Sequence, residues 1–322
     1  MNSSEQISVA MCTYNGEKFL REQLGSIASQ TLLPSELVIC DDGSTDSTWD
    51  IVARFAQSAP FPVRPTQNPQ NLGSTRNFEQ AIRMCRGEYI ALCDQDDWWT
   101  PDKLHVSVDA LRARDAGGVF SDGLLMDDAS KPTGERLWDA VRFDSKREMS
   151  SFSERDSGIA TLLRGNIVTG ATLLFRSKLR GLLLPFPEEW MHDGWIAWML
   201  VLHSRMIALE KPLIRYRVHE TQQVGIPGRA IIARLRNARN TGLNNYRSIE
   251  RQFQRLLDYA RLHPETCGPE LCRRIDEKRR HAAFRADLAN SRWTRGKRIA
   301  GQFNAYRLYS EGWKSMLRDA LI

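Results

Sequence analysis

Short apolar segments alternate with amphipathic helical segments along the first third of the chain. Five such segments recur: Ile7–Cys12, Glu36–Cys40, Pro62–Thr66, Tyr89–Cys93 and Gly118–Phe120. Between them, apolar residues return every three or four positions, as at Leu20, Leu24 and Ile27, which is the spacing of one helix face. Strands that alternate with helices in this way form βαβ units around a parallel sheet. The sequence therefore predicts an α/β protein with a Rossmann-like, mostly parallel sheet flanked by helices.

Polar clusters follow three of these segments directly. Thr13-Tyr14-Asn15 comes after the first, Asp41-Asp42 after the second, and Asp94-Gln95-Asp96-Asp97 after the fourth. Ligands of parallel sheets bind beyond the carboxyl ends of the strands. We therefore expect the three clusters to meet at one sheet edge and to form a ligand site. Taken singly, each cluster has a plainer explanation as a turn, a helix cap or a solvated loop.

The third cluster places three carboxylates, Asp94, Asp96 and Asp97, within four positions. Like charges this close repel one another, so we expect a cation among them. Carboxylate oxygens suit Mg²⁺ or Mn²⁺ better than zinc, and Mg²⁺ usually takes further ligands from substrate phosphates. The sequence has no P-loop and no GxGxxG glycine loop that could hold phosphates instead. With Asp41 or Asp42 near a base or ribose and Tyr14 stacked on the base, the pattern indicates a nucleoside diphosphate pocket.

The distribution of charge separates the last part of the chain from the rest. Residues 229–322 hold 21 Lys/Arg against 9 Asp/Glu, a balance of +12, while residues 1–228 have a balance of −6. This basic part also has the apolar spacing of amphipathic helices. Such a region suits an anionic membrane surface, nucleic acid or an acidic partner. No nucleic-acid-binding module accompanies it, so we expect no nucleic acid and favour peripheral membrane contact.

Two further features bear on where the chain works. Its longest apolar run, Trp195–Leu202, has eight residues, far fewer than the roughly 20 of a membrane-spanning helix. The first residues, Met1–Gln6, show no export signal, and the six cysteines include no CxxC pair. Free cysteines are typical of a reducing compartment. We therefore expect a cytoplasmic protein, with any membrane contact at the inner face of the cytoplasmic membrane.

Three segments carry a resemblance to a known family. They read MCTYNGEKFLREQLGSIASQTLLPSELVICDDGSTDST, NLGSTRNFEQAI and GEYIALCDQDDWWTPDKL. Together they resemble the N-terminal half of the family 2 glycosyltransferases, which are inverting enzymes with the GT-A fold. The likeness covers about residues 5–220, and HDGW and YRVHETQQVG are similar to a bacterial rhamnosyltransferase-like branch. Residues after 228 match no pattern of the family.

The resemblance implies a domain organisation and a role for each matching residue. It implies a GT-A domain over 1–228, with a nucleotide-binding half (1–120) and an acceptor and catalytic half (121–228), before the basic helical region 229–322. Asp193 matches the general base. The residues implied for nucleotide and donor binding are Thr13, Tyr14, Asn15, Asp41, Asp42, Arg76 and Asp94. The residues implied for the metal are Asp96, Asp97 and His219.

The function implied is transfer of a sugar, rhamnose or another hexose, from a dTDP- or UDP-linked donor. The acceptor would be a hydroxyl of a saccharide or lipid-linked saccharide in a bacterial surface polysaccharide such as O-antigen or capsule, with Mg²⁺ or Mn²⁺ as cofactor. One alternative is a sugar-nucleotide nucleotidyltransferase, although Cys12–Gly16 is not the glycine-rich phosphate loop that such enzymes need. Another alternative is a sugar-nucleotide-binding subunit without turnover.

Overall fold

The computed structural model describes residues 6–145, 152, 154–219, 231–290 and 295–321, with the side chains of 231–244, 289–290 and 321 left out. Its strands are β1 Ile7–Thr13, β2 Glu36–Asp41, β3 Val63–Gln67, β4 Tyr89–Cys93, β5 Trp98–Trp99, β6 Gly118–Met126, β7 Pro132–Arg136, β8 Leu174–Arg176 and β9 Met206–Arg217. Its helices include α1 Leu20–Ala28, α2 Thr48–Ser58, α3 Ser74–Met84, α4 Lys103–Ala113, α5 Leu137–Val141, α6 Arg155–Arg164, α7 Arg180–Leu183, α8 His192–His203, α9 Ile231–Leu262, α10 Pro269–Ala286, α11 Arg295–Ala300, α12 Phe303–Tyr309 and α13 Trp313–Leu321.

One sheet runs through the first part of the molecule in the order β3-β2-β1-β4-β8-β6-β9-β5, with β7 paired to β6. The first four strands of this order are parallel to one another. Beyond them, β8 is antiparallel to both β4 and β6, and β9 is parallel to β6. The α/β class is thus confirmed, with a sheet that is parallel in its first half and mixed in its second.

The parallel strands β2 and β4 are buried on both faces, whereas β3 at the end of the sheet is only partly buried. Every residue of β2 and of β4 is buried, as expected for continuous apolar strands in a covered parallel sheet. The helix face predicted from Leu20, Leu24 and Ile27 is fully buried as well. The strand ends are also in register, with Thr13 opposite Asp41 and Met11 opposite Cys93. The loops after β1, β2 and β4 therefore leave the sheet at one edge.

Several boundaries differ from the sequence-based expectation. Thr100-Pro101 has the pattern of a helix start, but α4 begins at Lys103, and Thr100 Oγ1 donates to Asp102 instead. Strand β9 runs without a break from Met206 to Arg217. The segment from Gly118 is nine residues long rather than three. The bounds of these segments depend on the pairing of β9 with β5 and β6 and of β6 with β8. Such long-range pairing is not encoded in the local spacing of apolar residues.

The described residues divide into two compact units. The first takes those within Met1–Gly158, Ile167–Phe186 and Met191–Ile226, and the second those within Ile159–Asn166, Pro187–Trp190 and Pro227–Ile322. The second unit has its own core, in which Tyr306 and Ile299 pack together and Arg285 donates to Asp319 at 2.7 Å. None of the helices in the described ranges combines the length and apolarity needed to cross a membrane.

Candidate active site

The carboxylates after β2 organise the loops at the sheet edge. Thr13 Oγ1 donates to Asp41 Oδ2 at 2.7 Å, which joins the ends of β1 and β2. Asp42 accepts from the backbone N–H groups of Leu72 and Gly73 at 2.8 and 2.9 Å, and so fixes the loop before α3. Both aspartates are buried. The structure therefore brings Thr13, Asp41 and Asp42 together, while their contact with a nucleobase stays a prediction.

A reciprocal pair of hydrogen bonds joins the loop after β1 to the acidic loop. The Tyr14 N–H donates to Gln95 Oε1 at 2.8 Å, and Gln95 Nε2 donates to the Tyr14 carbonyl at 3.0 Å. Asn15 follows with φ of 45°, and its N–H donates to Ser44 Oγ. This arrangement leaves the Tyr14 ring 37% exposed at the rim of the site. The role of Gln95 could not be predicted, because its partners are the backbone N–H and carbonyl of Tyr14, which sequence spacing does not identify.

The acidic loop after β4 holds its aspartates in different environments. Asp97 is buried; its Oδ1 accepts from the Arg217 N–H at 3.0 Å, and its Oδ2 finds no hydrogen-bond partner among the described residues. Asp96 Oδ2 lies 2.8 Å from His219 Nε2. Burial, together with the charges of Asp96 and Asp193, raises the pKa of Asp94 to about 7. The carboxylates of Asp94, Asp96 and Asp193 thus share one electrostatic environment.

Asp193 reaches this environment from the first turn of α8. Its carboxylate accepts from the Gly194 N–H at 2.6 Å and from the Gly170 N–H. Burial raises the pKa of Asp193 to about 6, although these N–H groups lower it. Gly170 passes close to the helix, since a Cβ there would lie 2.8 Å from His192 Nε2. The segment that begins at Gly170, just before β8, therefore holds the first turn of α8 and with it Asp193.

Arg217 is a further residue of the site, and sequence analysis gave it no role. Its side chain is fully buried at the end of β9. Its guanidinium donates to the Asp96 carbonyl at 2.7 Å, to Glu22 at 2.7 Å and to Ser130 Oγ at 2.8 Å, and it covers the Phe19 ring at 4.3 Å. The signal that the sequence offers is weak: Arg217 stands two positions before His219, and Arg215 of the same strand is exposed.

Arg76 is placed on α3. Its Nη1 donates to Glu79 at 2.8 Å and to the Phe186 carbonyl at 2.9 Å. These contacts hold the side chain against the segment before α8. The expected contact of Arg76 with donor ribose or phosphate stays a prediction.

The residues at this edge fit a divalent cation that takes part of its coordination from substrate. No cluster of three or more His, Cys, Asp or Glu side chains is arranged to hold a metal ion in the described part of the chain. The contact between Asp96 and His219 nevertheless places one oxygen donor 2.8 Å from one nitrogen donor, and the buried Asp97 Oδ2 has no hydrogen-bond partner among the described residues. Mg²⁺ sites in proteins commonly use only one or two carboxylates plus phosphate oxygens. Such a partial ligand set is what a metal–diphosphate requires.

Solved structures of other proteins share the fold of this chain. Staphylococcus aureus TarS 1–349, solved in complex with UDP-GlcNAc, matches with a TM-score of 0.58 and 19% identity, over 95% of this chain and 82% of that one. The mannosyltransferase PcManGT of Pyrobaculum calidifontis, solved with GDP-Man and Mn²⁺, matches with a TM-score of 0.54 and 18% identity, over 99% and 86%. The fold is that of the GT-A glycosyltransferases.

A family model that matches the sequence identifies the family of the protein. Residues 8–178, just over half of the chain, match the family model described as Glycosyl transferase family 2. The chain therefore belongs to glycosyl transferase family 2, as its resemblance implied. This membership argues against the nucleotidyltransferase alternative.

Two curated relatives show how far the likeness extends. Rv1520 of Mycobacterium tuberculosis is 41% identical over 107 residues, which are 33% of this chain and 31% of that protein. WfaP of Escherichia coli, a UDP-Glc:alpha-D-GlcNAc-diphosphoundecaprenol beta-1,3-glucosyltransferase by name, is 25% identical over 217 residues, 67% of this chain and 78% of that one. The match thus spans about a third of the length of the mycobacterial relatives.

Proposed function

We propose that this protein is a metal-dependent, inverting glycosyltransferase that moves a sugar from a nucleoside diphosphate to an acceptor hydroxyl. The observation that carries the proposal is the 2.8 Å contact between Asp96 and His219 at the sheet edge, together with the charges of Asp96 and Asp193, which both raise the pKa of Asp94. A carboxylate cluster of this kind needs a cation, and a carboxylate with a raised pKa can exchange a proton. Together they supply the two chemical needs of glycosyl transfer, which are stabilisation of the leaving diphosphate and deprotonation of the acceptor.

The donor would lie against the loops after β1 and β2. Tyr14 offers an exposed ring for stacking on the base, and Thr13, Asn15, Asp41 and Asp42 shape the surrounding loops. A dTDP- or UDP-linked hexose is the proposed donor, with rhamnose as the first candidate. The names of WfaP and of the TarS complex, which specify UDP-Glc and UDP-GlcNAc, favour the uridine nucleotide.

Asp96, His219 and the second oxygen of Asp97 would hold a Mg²⁺ or Mn²⁺ ion. When bound, such an ion neutralises negative charge on the departing diphosphate. Asp94 would lie nearer the nucleoside, as the resemblance implies. The Mn²⁺ complex of the Pyrobaculum mannosyltransferase supports a divalent ion in this fold.

Asp193 would accept the proton of the acceptor hydroxyl as its oxygen attacks the anomeric carbon. With its pKa raised to about 6, this carboxylate is ionised at neutral pH and still basic enough for the task. A positioned base typically contributes ~10²–10⁴-fold to the rate. Attack from the face opposite the leaving diphosphate inverts the anomeric configuration.

The proposed acceptor is a saccharide or lipid-linked saccharide of a bacterial surface polysaccharide. The diphosphoundecaprenol acceptor in the name of WfaP supports a lipid-linked acceptor. Work on such an acceptor would place the protein at the cytoplasmic face of the membrane.

The test is Asp193→Asn, a near-isosteric change that removes the base and leaves the volume. Donor affinity measured by calorimetry should stay within about twofold, while transfer should fall by ~10²–10⁴-fold. Asp50→Asn, at an exposed position of α2, is the matched control and should keep full activity. If the unchanged protein binds a nucleotide sugar but transfers nothing to any acceptor, a binding subunit replaces the enzyme as the explanation.

A further inference from the structure

The last two helices expose an unusual share of the large apolar side chains. The described residues expose ten such side chains, and four of them lie between positions 303 and 317. These four are Phe303 and Leu308 on α12, and Trp313 and Leu317 on α13; we call them the α12–α13 face. Trp313 is 66% exposed and Leu317 is 55% exposed. A concentration of apolar area in so short a segment is typical of a binding surface.

The exposed apolar residues of α13 recur at the helix period, so they form a regular surface stripe. Trp313 and Leu317 are four positions apart and share one stripe, and Lys314 and Arg318 form the exposed stripe beside it. The inward side of the helix is occupied by polar residues, since Ser315 and Asp319 are buried. Asp319 accepts from Arg285 and from the Tyr306 hydroxyl. The helix is thus anchored by its polar side and presents its apolar side outward.

Helix α12 also exposes apolar side chains. Tyr306 and Tyr309 are buried, while Phe303 and Leu308 remain exposed. Both exposed residues line one open cleft of about 580 Å³, together with Phe284 of α10. Phe303 and Leu308 therefore border the same surface depression.

We propose that the α12–α13 face docks on an anionic lipid bilayer. Helices that bind at a bilayer surface combine Trp, Phe and Leu on one side with Lys and Arg beside them, and so join apolar burial to electrostatic attraction. Lys314 and Arg318, exposed beside the apolar stripe, would lie near a negative surface, and each cation near it strengthens binding about fivefold. A second copy of the chain fits less well, because residues 229–322 carry a balance of +12, and the like charges of two copies would repel each other.

This docking is independent of the sugar-transfer chemistry. Every residue of the face belongs to the second unit, and lipid binding requires no donor, metal or Asp193. Only the biological purpose of the docking rests on the proposed function, because a lipid-linked acceptor would be presented at such a bilayer. Loss of docking and loss of transfer can therefore be told apart.

The experiment is co-sedimentation of the full chain with vesicles of phosphatidylcholine alone or enriched in phosphatidylglycerol. We expect binding to the anionic vesicles that weakens as salt is added. The double variant Trp313→Ser/Leu317→Ser should bind at least tenfold more weakly, and Lys314→Gln about fivefold more weakly. Leu262→Ser, at the 75% exposed end of α9, and Arg255→Gln, at an exposed position of the same helix, are matched controls that should bind as the unchanged protein does.

Several results would overturn the proposal. One is equal binding to neutral and anionic vesicles, and another is full binding by both the apolar and the charge variants. A third is a concentration-dependent dimer in sedimentation velocity that disappears in Trp313→Ser/Leu317→Ser, which would assign the face to self-association. Because Lys314→Gln changes only an exposed side chain, it keeps the test decisive if the double variant folds poorly.

Discussion

His219 Nε2 lies 2.8 Å from Asp96 Oδ2, although 123 positions separate the two residues in the chain. The contact joins the segment after β9 to the loop after β4. Asp96 comes from the parallel half of the sheet, and His219 follows a strand of the mixed half. The two halves of the sheet thus each deliver one donor atom to the proposed cation site.

His219→Ala should weaken metal binding, because it removes the nitrogen donor beside Asp96. We expect the affinity for Mn²⁺ in the presence of UDP to fall at least about tenfold, measured by paramagnetic resonance of free Mn²⁺. His105→Ala is the control, since His105 is exposed and pairs only weakly with Asp109 at 3.3 Å. Unchanged Mn²⁺ affinity in His219→Ala would remove this histidine from the site.

Arg217→Met should destabilise the fold, because it leaves Glu22 and the Asp96 carbonyl without their buried partner. Removing one member of a buried ionic network typically costs about 3–5 kcal/mol. We expect a loss near the lower end in urea unfolding followed by tryptophan fluorescence, because Glu22 is 40% exposed. Arg215→Met is the matched control on the same strand; Arg215 is exposed, so its loss should cost under about 1 kcal/mol. Equal costs for the two variants would contradict the buried role of Arg217.

The rate of transfer should depend on the ionisation of Asp193. Burial raises its pKa to about 6, so the protonated, inactive form persists up to that pH. We expect log kcat to rise with unit slope below about pH 6 and to level off above it. A profile that stays flat down to about pH 4, the region of an ordinary aspartate, would show that Asp193 is not the base.

Gln95→Ala should loosen the nucleotide site by cutting both hydrogen bonds between the acidic loop and Tyr14. Each bond contributes roughly 0.5–1.5 kcal/mol, so UDP affinity should fall about tenfold in calorimetry. Gln70→Ala, at an exposed loop position, should bind UDP normally. If Gln70→Ala also lowered the UDP affinity tenfold, the loss would come from general destabilisation and not from the two hydrogen bonds of Gln95.

The first half of the fold could be predicted closely because its signals are local. The apolar runs at Ile7 and Tyr89 became β1 and β4 with boundaries within one residue. The second half could not, since β8 enters antiparallel between β4 and β6, and the pairing of β6 with β9 shifts register at Asp122. Such pairings depend on long-range contacts that no short window of sequence contains.

The candidate site, too, could be predicted where its signals are local and could not be predicted where long-range contacts form it. The rule that ligands bind at strand ends selects Tyr14, Asp41 and Asp96 as candidate site residues, and it needs no comparison with a related protein. Asp193 looks like an ordinary first-turn helix residue, and only the family resemblance singled it out. Gln95 and Arg217 were missed because their partners are a backbone carbonyl and residues far along the chain.

The central claim is that the acidic edge holds a cation and, through it, a nucleoside diphosphate. Calorimetric titration of UDP and dTDP, with Mn²⁺ or Mg²⁺ and then with EDTA, tests it most directly. We expect binding with a divalent ion that is lost in EDTA and in Asp96→Asn, while Asp109→Asn, at an exposed position of α4, binds normally. Binding that is equally strong in EDTA, or no binding of either nucleotide with either ion, would contradict the claim.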